Sequence, residues 1–177
     1  MRDRILDTTE ELLVREGVNA IRLDAVAAKA GVSKGGLLHH FGTRQALIEG
    51  VVLRLVDAFE AYLPPRSSPP GAFTRAWLDA TIPATDVPAD GQGDRVAVAL
   101  LAALSGGPEM LTLLRGHYLV WQDRLANDGL DPAAATLVRL AVDGWWLARV
   151  TDLAPPAGDL HVRIRASLDQ LARTEND

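Results

Sequence analysis

A chain of 177 residues, 48% of them hydrophobic, is long enough to bury a sizeable core. It holds no cysteine, which excludes disulfides, thiolate metal sites and cysteine nucleophiles. Its net charge of −5 excludes a protein that coats nucleic acid through a diffuse basic surface.

In chain order, Ile5, Thr9, Leu12 and Leu13 repeat with helical period over Arg4–Glu16, and Gly17 suits the C-terminal cap. Leu23, Val26, Ala27 and Ala30 place a second, short apolar face at i, i+3, i+4 and i+7, with Gly31 fitting a position of positive φ and Val32 a buried plug. Ser33 is a good N-cap for a third helix, from Lys34 to about Phe41, whose inner side is Leu37 and Phe41. Two helices joined by a turn of about four residues make a helix-turn-helix, in which the N-terminal residues of the second helix enter the major groove of DNA. Here those residues are Lys34, Gly35 and Gly36. Two glycines cost about 1 kcal/mol each in helix propensity, a loss that close backbone approach to another surface would explain.

Charge follows the same division. Residues 1–47 carry seven basic and six acidic side chains, net +1, whereas residues 48–177 carry eleven and seventeen, net −6. The stretch from Arg22 to Arg44 has four basic residues against Asp24 alone, so any polyanion site is local. Thr43 is an N-cap for a long helix from Arg44 to about Leu63, striped by Ile48, Val51, Val52, Leu55, Val56 and Phe59 and ended by Pro64-Pro65. Phe73, Trp77 and Thr81 mark a helix closed by Pro83, after which residues 83–94 read as a flexible connection. Arg95–Ser105 reads as a buried apolar helix. Pro108 opens a helix with the stripe Met110, Leu113, Leu114, His117, Tyr118, Trp121 and Leu125. Asp131-Pro132 caps and opens a helix to about Thr151 that is apolar on two sides, and Asp159 caps a last helix before a polar tail. The expected fold is all-α, with about nine helices and no strand. The N-terminus reads as a charged amphipathic helix rather than a signal peptide, and no apolar run is long enough to span a bilayer, so a cytoplasmic protein without a membrane partner is expected.

The segment AVAAKAGVSKGGLLHHFGTRQAL closely resembles the signature of the TetR family of bacterial regulators, over roughly the first 50 residues. The resemblance implies a DNA-binding head at 1–47 and a ligand-binding and dimerisation domain at 48–177, linked by the helix at 44–63. It assigns Ser33, Lys34, Gly35 and Gly36 to base and phosphate contacts, His40 to a phosphate or to the end of the recognition helix, and Arg44, beside Thr43 in the polar turn, to a phosphate. Arg2 and Arg4 are further phosphate candidates. Arg22 stands where many relatives have a capping Thr, and Leu38 where they place a Tyr, so that contact is lost or passes to His39. Such a protein binds a double-stranded, pseudo-palindromic DNA operator as a homodimer.

The resemblance also implies a pocket for a small-molecule effector, here mainly hydrophobic, among the C-terminal helices. Phe73, Trp77, Met110 and Leu114 are candidate lining residues, with His117, Tyr118, Trp121 and Trp145. The dimer seam falls to Leu137, Leu140, Ala141, Gly144 and Ala148 on the penultimate helix and to Ile164, Leu168 and Leu171 on the last. A helix-turn-helix protein whose second domain is purely structural is the alternative. An enzyme is not expected: His117 and Asp123 are six apart on a helix, adjacent His39 and His40 diverge by about 100°, and no phosphate loop, Gly-x-Ser-x-Gly elbow, cofactor motif or metal cluster is present.

Overall fold

The computed structural model describes residues 1–85, 102 and 107–173. These residues form α-helices, a single 3₁₀ turn at Val18–Ala20 and no strand. The helices are α1 (Arg2–Glu16), α2 (Leu23–Lys29), α3 (Lys34–His40), α4 (Arg44–Glu60), α5 (Ala72–Asp79), α6 (Pro108–Ala126), α7 (Pro132–Thr151) and α8 (Gly158–Leu171). The helix expected over Arg95–Ser105 and residues 86–94 of the connection before it lie outside the described residues, except that Ala102 is helical and buried. Two compact units divide within α4, after Asp57, and within α6, after Leu114.

The first unit holds α1 to α3 and most of α4. Ile5, Leu6, Ile21, Val26, Leu37, Leu47, Ile48 and Val51 are buried in it. Thr8 and Thr9 fit inside α1 because their hydroxyls donate to the carbonyls of Arg4 and Ile5 (2.9 and 2.7 Å). The α2–α3 turn is a Schellman closure: Gly31 has φ 62°, its N–H donates to Ala28 O, and the N–H of Val32 donates to Ala27 O at 3.0 Å. Val32 itself is half-buried rather than a buried plug, since the closure is made by backbone. Ser33 Oγ accepts from the N–H of Gly36 (3.0 Å), and Thr43 Oγ1 from that of Ala46 (3.0 Å), so both expected caps are present. From α4, Arg54 reaches α1 and donates to Asp7 (2.6 Å) and to the buried Glu10 (2.5 Å).

In the second unit α5 packs on α7 and α8. Its N-terminus is closed from afar: the Asp128 carboxylate accepts from the N–H groups of Phe73 and Thr74 and from the Thr74 hydroxyl (3.1, 2.8 and 2.8 Å). Asp131 accepts from the N–H of Ala133 and Pro132 is the first residue of α7, as expected. Helix α4 stops at Glu60, three residues short of Leu63, where 61–63 turn over. Helix α8 begins at Gly158, which places Asp159 in its first turn rather than at the cap, favourable there through the helix dipole. His161, Arg165 and Leu168 form its buried side, with Arg165 paired to Asp79 on α5 and to Asp169.

Candidate functional site

Helix α3 is held from within and bare without. Leu37 and Phe41 are buried, whereas Lys34, Gly35, Leu38 and His39 make an outward face at i, i+1, i+4 and i+5, continued by the exposed Ser33 and His40. A Cβ at Gly35 would meet nothing within 4 Å, so its backbone is open to approach by another molecule. Gly36 differs: a Cβ there would lie 3.2 Å from Ser33 Oγ, so this glycine also makes room for the cap. His39 and His40 touch edge to face, with ring centroids 5.3 Å apart. The Lys34 ammonium lies 2.9 Å from the carboxylate of Asp24 on α2. Arg22 and Thr43 are exposed at the flanks.

Arg44, expected at a phosphate, is engaged within the chain. Its Nε donates to Ile21 O and its Nη2 to Val18 O, both at 2.7 Å, so its guanidinium ties the start of α4 to the segment that precedes α2. Of the two other candidate arginines, Arg4 points toward Gly31 O at 3.5 Å and Arg2 lies over the Phe41 ring at 5.5 Å.

The aromatic residues of the second unit gather around Phe59, whose ring centroid lies 4.9 Å from Trp77, 5.4 Å from Trp121 and 6.4 Å from Trp146. Phe73, Tyr118 and His117 extend the group through Trp77 and Trp121. Glu60, at the end of α4, accepts from the Trp121 indole at 3.0 Å and lies 3.3 Å from His117 Nδ1. The histidine's carboxylate partner is therefore Glu60; Asp123 pairs with Arg66 instead. Tyr118 donates to Asp143 at 3.0 Å, and Arg139 bridges Asp143 (2.7 Å) to Gln122 (2.7 Å). Burial, reinforced by the Asp143 carboxylate, keeps the Tyr118 phenol protonated well above its ordinary range. Burial also pushes Asp143 up, against the opposing pull of Arg139.

Three further expected lining residues make other contacts or belong to the other unit. Trp145 turns toward His161 of α8 at 6.1 Å, and its neighbour Trp146 occupies the place beside Phe59. Met110 and Leu114 belong to the first unit. Phe59, Glu60 and Trp146 were not among the expected lining residues; a helical stripe does not say which of two adjacent buried tryptophans faces which neighbour.

On α7 the positions 137, 140, 144 and 147 line one exposed side, with Leu137, Leu140 and Leu147 each about half exposed, while Val138, Val142, Trp145 and Trp146 are buried behind them. Ala141 and Ala148 are half-buried. Leu160, Ile164 and Leu171 fall on one side of α8, Ile164 half-buried and the leucines exposed. Leu168, expected on the dimer seam, is buried within the chain, at 6% exposure, because it shares the buried side with His161 and Arg165. Among the described residues no helix is long and apolar enough to cross a membrane.

The match to known proteins covers both units. A family model described as bacterial regulatory proteins, tetR family, matches residues 5–51, and one described as tetracyclin repressor-like, C-terminal domain, matches residues 71–173. The HTH-type transcriptional regulator AlkX of Mycobacterium tuberculosis is 42% identical over 57 residues, 32% of this chain and 27% of AlkX. The chain thus matches about a quarter of that relative's length. Among solved structures, a transcriptional regulator from Rhodococcus sp. Rha1 superimposes with a TM-score of 0.71 at 20% identity, over 97% of this chain and 93% of that one. SmeT, in a complex with triclosan, gives 0.68 at 21% identity, over 96% and 88%. At these identities the structures speak for the fold, and the two family matches for descent: the chain belongs to the tetR family of bacterial regulatory proteins.

Proposed function

We propose that this regulator is a homodimeric repressor that binds a pseudo-palindromic operator through α3 and is released by a small, mainly hydrophobic effector. The observation that carries the reading is the outward face of α3, with Ser33 capping its N-terminus and Lys34 and Gly35 exposed beside the cap. Free N–H groups and the positive end of the helix dipole favour phosphate there, and side chains at this end are the ones a recognition helix offers to base edges. A twofold dimer would place two such helices in successive major grooves about 34 Å apart. The exposed leucines of α7 and α8 support the dimer, since apolar stripes of this kind are ordinarily covered by a partner.

The aromatic group around Phe59 supports the effector, as does the complex of SmeT with triclosan. The indole N–H groups of Trp77 and Trp146 are buried without a hydrogen-bond partner among the described residues. An apolar ligand with one acceptor oxygen would satisfy such a donor. The mutual ring contacts equally support a second reading, in which this unit is a structural dimer domain and takes no ligand. Titrating the tryptophan fluorescence with triclosan, and repeating the titration on the protein bound to DNA, separates the two. Saturable quenching with loss of DNA supports the effector reading; no response to triclosan or to a panel of flat apolar phenols favours the structural one.

A further inference from the structure

Both lysines of the chain are engaged by carboxylates, Lys29 loosely with Glu11 at 3.9 Å and Lys34 closely with Asp24 at 2.9 Å. The second pair is the informative one. Lys34 opens α3 and Asp24 lies in the first turn of α2, with side chains 62% and 74% exposed. Asp24 is also the one acidic residue between Arg22 and Arg44. An exposed pair of this kind contributes little to folding. Its placement instead sets a negative charge against the cation that the proposed DNA-binding face presents first.

We propose that Asp24 is a specificity-determining residue, which holds Lys34 away from phosphate and so weakens binding to non-operator DNA more than binding to the operator. The inference rests on the reading of α3 as the recognition helix. Non-specific binding comes almost entirely from phosphate neutralisation. While the pair holds, Lys34 and Asp24 together carry no net charge and neutralise no phosphate; if it breaks, the Asp24 carboxylate faces the same phosphates and repels them. An ammonium has three donors. With α3 seated in its operator, Lys34 can keep one N–H on Asp24 and offer another to a base acceptor such as guanine O6 or N7, so the pair survives and steadies the contact. The carboxylate therefore penalises the mode that ignores sequence and spares the one that reads it.

The test uses the full chain and two duplexes of equal length, an operator found by selection and a scrambled one, titrated at several salt concentrations. Asp24→Asn is expected to tighten binding to the scrambled duplex by about threefold to tenfold. It should also steepen that salt slope by about one, and change operator affinity by less than about twofold. In a Lys34→Ala background the same substitution should lose its effect on the scrambled duplex. Asp24→Ser, which also keeps a residue suited to a helix start, serves should the Asn variant melt early. An unchanged operator-to-scrambled ratio, equal weakening on both duplexes, or a full effect without Lys34 would each overturn the proposal. A selection that yields no operator would remove the recognition-helix reading and the inference with it, whereas an operator bound with an unaltered ratio in Asp24→Asn removes the inference alone.

Discussion

Among single residues, Arg44 combines an expected phosphate contact with a structural tie. Family resemblance places it at a phosphate, and the structure gives its Nε and Nη2 to the carbonyls of Ile21 and Val18. Charge-assisted hydrogen bonds to partly buried carbonyls are worth about 1.5–3 kcal/mol each before solvent discounts them. Arg44→Ala is therefore expected to destabilise the head by about 2 kcal/mol in urea unfolding, and Arg44→Lys to recover only part, because one ammonium cannot span both acceptors. Gly50 makes a second case. A Cβ on it would sit 2.7 Å from Phe41 Cε1 and 3.2 Å from Leu6 Cδ2, and the Phe41 ring is buried. Gly50→Ala should then cost about 1–2 kcal/mol, since overpacking outweighs the gain in helix propensity; a stabilised variant would show that Phe41 can move aside. Neither role was legible in the sequence. Ser33, Thr43 and Asp131 were, because a cap bonds to a backbone group two or three residues away. Arg44, Arg54 and Asp128 find their partners 23 to 55 residues off, where sequence periodicity carries no information.

At the scale of elements, helices were legible from the 3.6-residue repeat, and their ends less so. Helix α5 has no capping side chain of its own, and Asp128 supplies one from beyond α6. Asp128→Ala should lower stability by about 1–2 kcal/mol, and Asp128→Asn by less, because one amide oxygen can still accept from the two N–H groups. Helix α7 carries the pH-sensitive pair. Asp143 is held above its ordinary pKa by burial, so the folded chain binds this proton more tightly than the unfolded one. Stability from this group is then greatest below the ordinary carboxylate value, about 4, and falls as pH rises through the raised one. Relative to Asp143→Asn, wild type should lose unfolding free energy as pH rises from 4 to 8. A wild type that gains on the variant over that range would mean that the ion pair with Arg139 outweighs burial.

For the whole molecule, the all-helical fold was legible because each helix shows its own period and none of the segments alternates as a strand would. The aromatic group was legible only in part. The stripes named Trp77, Tyr118 and Trp121, whereas the contacts of Phe59 with Trp146, and of Trp145 with His161, depend on which stripes meet, and that is decided by packing between helices. If the leucines of α7 form the seam of a dimer, Leu140→Arg should yield a folded monomer by sedimentation. Its operator affinity should drop by at least about tenfold, because one head alone loses the effective concentration of the second.

The central claim is that α3 reads DNA sequence on behalf of a twofold dimer. Selection of bound duplexes by the purified protein, from a random pool at one stated salt concentration, tests it most directly. An inverted repeat is expected, with half-sites about 10 base pairs apart, centre to centre, lost from the selection in Lys34→Ala or Leu140→Arg. Recovery of sequences with no common motif, bound with equal strength by both variants, would contradict it.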